Sequence, residues 1–79
     1  MLVKIRRNHK HIYIIAYGVL DPTPLKSSGE IEVLSKNKYL TRVIYTGPNQ
    51  ASIEEMERVA SRLKTEGHEI QPKSLVNPK

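Results

Sequence analysis

Hydrophobic and polar positions alternate from Leu2 to Arg7, with Val3 and Ile5 on one side and Lys4 and Arg6 on the other. Successive strand side chains point to opposite faces, so this alternation predicts a strand buried on one face. The next run, His11 to Gly18 (HIYIIAYG), is dense in β-branched and aromatic residues. His11, Tyr13, Ile15 and Tyr17 fall on one face and Ile12, Ile14 and Ala16 on the other, which predicts a central strand. Asn8-His9-Lys10 joins the two runs as a short polar connection suited to a hairpin.

Val19 to Ser28 (VLDPTPLKSS) breaks the alternation. Pro22 and Pro24 forbid regular ladder pairing and Asp21-Pro22 favours a turn, so the segment is expected to be an ordered, protruding loop. A third strand follows over Glu30 to Leu34, with Ile31 and Val33 inward and Glu30 and Glu32 outward. Ser35-Lys36-Asn37-Lys38 reads as a turn, because Asn tolerates positive φ. Tyr39 to Thr46 (YLTRVIYT) has fourth-strand composition, with two candidate inward faces. One holds Leu40, Arg42 and Ile44; the other holds Tyr39, Thr41, Val43 and Tyr45.

Gly47-Pro48-Asn49 ends the sheet, and Ser52-Ile53-Glu54-Glu55 matches a capping box. Ile53, Met56, Val59, Ala60 and Leu63 follow with helical spacing, predicting a helix from about residue 52 to 66. Glu54, Glu55 and Glu57 at its start and Arg62 and Lys64 at its end complement the helix dipole, and Gly67 is suited to the C-terminal cap. The expected fold is α+β and two-layered: a four-stranded antiparallel sheet of two hairpins under one C-terminal amphipathic helix, order β-β-β-β-α. A short extra edge strand is expected at 68–71. Residues 1–70 form the single domain and 71–79, with Pro72 and Pro78, a flexible tail. One helix covers one face of such a sheet, so the other face is wet or buried against a partner. A homodimer is one way to cover it.

The chain has 79 residues and no Cys, which excludes disulfide staples, thiol nucleophiles and cysteine-based metal centres. No apolar run reaches the roughly 18 residues of a membrane helix, and the first residues lack the apolar stretch of a secretory signal. A cytoplasmic protein without membrane partners is therefore expected. The net charge is +5, and its placement matters more than its size. Residues 1–50 carry eight Lys and Arg against three acids, while residues 51–79 carry five of each. The whole excess lies in the first fifty residues, and Lys4, Arg6, Arg7 and Lys10 form an acid-free block beside His9 and His11. A localised basic surface attracts polyanions.

Four aromatic residues, all Tyr, fall in the predicted strands: Tyr13 and Tyr17 on one face of the second, Tyr39 and Tyr45 on one face of the fourth. Tyrosines on a sheet flanked by cations stack bases while the cations hold phosphates. The expected function is thus non-catalytic nucleic-acid binding, DNA or RNA. Lys4, Arg6, Arg7, Lys10, Lys36, Lys38 and Arg42 are expected on phosphates, and Tyr13, Tyr17 and Tyr39 on bases. The same residues have plainer roles open to them: tyrosine is a favoured strand residue, and surface lysines aid solubility. The alternative function is a protein-binding inhibitor or adaptor that presents its free sheet face or the 19–28 loop.

Other chemistry is thinner. His9 and His11 have the spacing of a metal pair but no third ligand nearby, so no metal or other cofactor is expected. The 47–52 junction lacks the second Gly and the Lys of a phosphate-binding loop. A ribonuclease set of His9, His11, Arg6, Arg7, Arg42 and Tyr45 is conceivable only if the fold brings them together. No enzyme activity is expected.

Overall fold

The computed structural model describes residues 1–73. The elements are β1 (Leu2–Arg7), β2 (Ile12–Ala16), a 3-10 turn (Thr23–Ser27), β3 (Glu30–Lys36), β4 (Thr41–Thr46), α1 (Ile53–Thr65) and β5 (Glu69–Gln71). The α+β class and the packed C-terminal helix are as expected, and the extra edge strand of 68–71 is present as β5, so the sheet has five strands rather than four, in the order β3-β4-β2-β1-β5. It is also mixed. β1–β2, β2–β4 and β3–β4 are antiparallel, whereas β5 returns from the helix and pairs parallel with β1. A strand on the far side of a helix crossover must run in this direction when the helix lies back antiparallel to its neighbour. Gln71, expected to begin the tail, is opposite Lys4 in that pairing, and the rest of the expected tail from residue 74 lies outside the described residues.

Both hairpins use the same local device. Asn8 Oδ1 accepts from the amides of Lys10 (2.7 Å) and His11 (2.8 Å), and Asn37 Oδ1 accepts from those of Tyr39 (2.8 Å) and Leu40 (2.9 Å). An Asn side chain that caps its own turn reverses the chain where no Gly is present. The second turn runs later than the sequence predicts, so β4 begins at Thr41 and Tyr39 lies in the turn, 73% exposed.

The helix-side face carries Val3, Ile5, Ile12, Ile14, Ala16, Val43, Tyr45 and Ile70, all buried, with Ile31 packed on their margin. Each fully buried Val or Ile contributes about 1.5–3 kcal/mol, so this layer is the main source of stability. The register settles the inward face of β4 as Thr41, Val43 and Tyr45, opposite Ala16, Ile14 and Ile12. Thr41 is fully buried yet satisfied: its hydroxyl donates to Gly18 O (2.8 Å) and accepts from Leu20 N (3.1 Å).

That hydroxyl anchors the segment expected to protrude. Leu20, Pro22 and Leu25 are buried, and the 3-10 turn packs on β3. A helix about 10 Å wide covers two strands, not five spaced about 4.8 Å apart. α1 packs on β1 and β5, and the proline-framed segment roofs the remaining part of the core. Asp21 initiates the turn by accepting from Thr23 N (3.0 Å), and Thr23's hydroxyl and amide together hold the Asp21 carboxyl below its ordinary range.

In α1, Ser52 Oγ accepts from Glu55 N (3.2 Å), which completes one half of the capping box. The other half is absent. Glu55 turns inward instead and is fully buried, in line with Val59 and Leu63, while Ile53, expected on the apolar stripe, is 55% exposed. The Glu55 carboxylate accepts from Arg58 (2.9 Å), Tyr45 Oη (3.4 Å) and Asn49 N (3.4 Å), and Tyr45 Oη lies 3.0 Å from Ser28 Oγ. These bonds compensate for burying a carboxylate, since a buried polar group must be partnered.

Gly29 sits against this cluster. A Cβ there would lie 2.6 Å from Thr46 O and 2.8 Å from the Tyr45 ring, both in the packed sheet. Gly29→Ala should therefore cost about 1–3 kcal/mol by overpacking. Urea melts followed by circular dichroism measure this, and an unchanged midpoint would mean that β3 swings away freely.

Candidate nucleic-acid interface

The strand pleat sends every second side chain away from the helix, and no described element covers that second face. Its residues follow from the register. Arg6 is opposite Tyr13, which is opposite Ile44, which is opposite Glu32. One step along the strands, Lys4 is opposite Ile15, which is opposite Arg42. A further step brings Tyr17 beside Leu2 through the bond from Tyr17 N to Leu2 O (3.0 Å). Five of the predicted binding residues thus share this surface: Lys4, Arg6, Tyr13, Tyr17 and Arg42. The cations on β1 and Arg42 on β4 lie two strand spacings apart, about 10 Å, with Tyr13 and Ile15 between them.

None of these three cations has a carboxylate within ion-pair distance among the described residues; the ion pairs present involve Arg58, Arg62 and His68. Lys4 Nζ lies 5.5 Å from the centre of the Tyr17 ring, within cation–π range. Tyr13 is held on two sides. Its Oη accepts from Asn8 Nδ2 (3.1 Å), and its ring meets the His11 ring edge-on at 6.1 Å. A fixed, half-buried ring is a preorganised stacking surface, because little rotamer freedom remains to be lost on binding.

Beside Tyr13 runs a groove of about 450 Å³ lined by Arg6, Arg7, Tyr13, Ile14, Ile15, Leu34, Arg42 and Val43. Leu34 reaches it because β3 carries a bulge between Val33 and Ser35. The strand alternation placed Ile15 on this face, but the bulge and Leu34's contribution have no local sequence signal.

The other predicted residues are elsewhere. Arg7 belongs to the helix-side face, opposite Ile12, and its Nη1 donates to Ala51 O (2.8 Å) at the entry to α1. Its guanidinium is a structural tie at the entry to α1, although the residue also contributes to the lining of the groove beside Tyr13. Lys10 stands in the β1–β2 turn at one end of the sheet, while Lys36, Lys38 and Tyr39 stand at the opposite end. Lys38 Nζ lies 5.2 Å from the Tyr39 ring centre. Tyr45, expected to share a face with Tyr39, is fully buried.

The candidate ribonuclease set is split in the same way. His11, Arg6 and Arg42 are on the open face, His9 is in the turn, and Arg7 and Tyr45 are on the helix side. His11 Nδ1 lies 3.4 Å from Thr46 Oγ1, and no group of three His, Asp or Glu side chains suited to a metal occurs among the described residues. At the start of α1, Ser52 Oγ takes the Glu55 amide and the Glu55 carboxylate takes the Asn49 amide just ahead of the helix. No helix among the described residues is long and apolar enough to cross a membrane. No protein-family model matches the chain, and neither a curated protein nor a solved structure does.

Proposed function

We propose that the protein is a non-catalytic nucleic-acid-binding module that works through its open sheet face. The observation that carries this reading is the set of three cations with no carboxylate partner among the described residues, Lys4, Arg6 and Arg42, around the braced ring of Tyr13. Phosphates take the cations and bases take the aromatic and aliphatic floor, the division of labour of sequence-tolerant binders. The test is retardation of a mixed set of labelled oligonucleotides at 50 and 200 mM salt. Binding should weaken steeply between the two, because each phosphate contact releases counterions. Tyr13→Ala should lower affinity by about 1–3 kcal/mol and leave the salt dependence unchanged, since stacking releases no ions. Binding that is absent at the lower salt would remove the reading.

The alternative is a protein partner or a second copy of the chain on the same face. Tyr17 and Leu34, 46% and 43% exposed, support it as apolar anchors beside Ile15 and Ile44. Within the 19–28 segment Leu20 and Leu25 are in the core, and Val19, 54% exposed, is the apolar side chain it offers to a partner. This alternative forecasts no oligonucleotide binding, and light scattering distinguishes its homodimer form by a doubled mass.

A further inference from the structure

The open face has two unlike clefts that share Arg6. One is the groove over β2 and β4, walled by Tyr13, Ile15, Leu34 and Arg42. The other lies at the β1–β5 margin, also about 450 Å³, and is lined by Lys4, Arg6, Gln71, Pro72 and Lys73. It has three cations and no acid. On the far side of the groove, β3 turns Glu30 and Glu32 to the same face, opposite Thr46 and Ile44. Both carboxylates are exposed, and neither has an ion-pair partner among the described residues. β5 also turns Glu69 to this face, opposite Leu2, so the β1–β5 margin is cationic in net charge only. The face therefore passes from a net cationic margin, through an apolar and aromatic floor that also carries Arg42, to an anionic edge at β3.

We infer that this gradient selects a single nucleic-acid strand over a duplex, an inference that rests on the proposed function. The backbone lies along the margin of Lys4, Arg6 and Lys73, and the bases point across β2 into the groove. Tyr13 offers a ring face, and Arg42 offers a guanidinium plane, on which bases also stack. From β1 to β3 is three strand spacings, about 14 Å. The backbones that flank a B-form major groove are about 12 Å apart. A duplex laid with one backbone on the cationic margin thus brings its second backbone over Glu30 and Glu32, where like charges repel. Its bases are also stacked and paired, so none enters the groove. A single strand meets neither obstacle: it has one backbone, and its bases turn outward at small cost.

The experiment is fluorescence anisotropy at 50 mM salt with labelled 12-residue single strands of DNA and RNA and the duplex of the same DNA sequence. The wild-type chain should bind the single strands at least about tenfold more tightly than the duplex. Glu30→Gln with Glu32→Gln should narrow that ratio at least about threefold, mainly by tightening duplex binding. Lys73→Ala should flatten the salt dependence on single strands by about 0.7, the value of one phosphate contact. Equal binding of duplex and single strand by the wild-type chain overturns the inference and leaves the proposed function standing. So does a ratio unmoved by the glutamate substitutions. Absence of binding to every probe overturns both.

Discussion

Leu25→Ala should destabilise the protein by about 3 kcal/mol, in the lower half of the range for a buried leucine truncated to leave a cavity. Leu25 is 2% exposed and comes from a segment whose two prolines mark it as a loop. Its side chain helps close the part of the core that α1 does not reach. A domain of this size has a total stability of only about 4–12 kcal/mol, so the loss is a large fraction of it. The melting temperature should fall by roughly 12–24 °C, measured by circular dichroism on the full chain. Leu34→Ala is the control: at 43% exposed, on the bulged edge strand, it should change stability by less than about 1 kcal/mol. If the two variants melt alike, the 20–28 segment is a surface cover rather than part of the core.

Lys4→Ala with Arg6→Ala should lower oligonucleotide affinity by about 3 kcal/mol, roughly a hundredfold at low salt, at about 1.5 kcal/mol for each charged hydrogen bond. The slope of log affinity against log salt should flatten by about 1.4 on single strands. Both side chains lie on the face away from the helix, so the melting temperature should change little. Arg7→Ala should behave in the opposite way. Arg7 ties β1 to Ala51 O at the entry to α1, so its loss should reduce stability while affinity stays within about twofold. The two substitutions separate neighbouring arginines by function. Equal effects on binding from Arg7→Ala and from the Lys4 and Arg6 pair would mean that the basic hairpin attracts nucleic acid only as diffuse charge.

The sequence carried much of this. Alternation in Leu2–Arg7 placed Lys4 and Arg6 together, and the two-sided apolar run of β2 put it at the centre of the sheet, with Tyr13 and Tyr17 on one face. The periodicity of Val59, Ala60 and Leu63 located the helix and the face it buries. These features were legible because each depends on the spacing of neighbouring residues, and side-chain direction repeats with a fixed period along a strand or helix.

The features that were not legible depend on what lies across the core. Nothing in YLTRVIYT favours its Thr41 face over its Leu40 face until Ile14 and Ile12 are opposite it and Gly18 O meets the Thr41 hydroxyl. Glu55 reads as a helix-start acid, and only Tyr45, Arg58 and the Asn49 amide make its burial tolerable. Arg7 continues the basic block of β1, yet the pleat and the entry to α1 turn it into a structural tie. The cationic margin needs β5 beside β1, which brings Lys73 next to Lys4 and Arg6 from across the whole chain. Local spacing thus determined the elements and the faces they present. Tertiary structure decided which polar groups are buried and which charges meet, because burial and Coulomb interactions depend on distances through space that sequence separation does not encode.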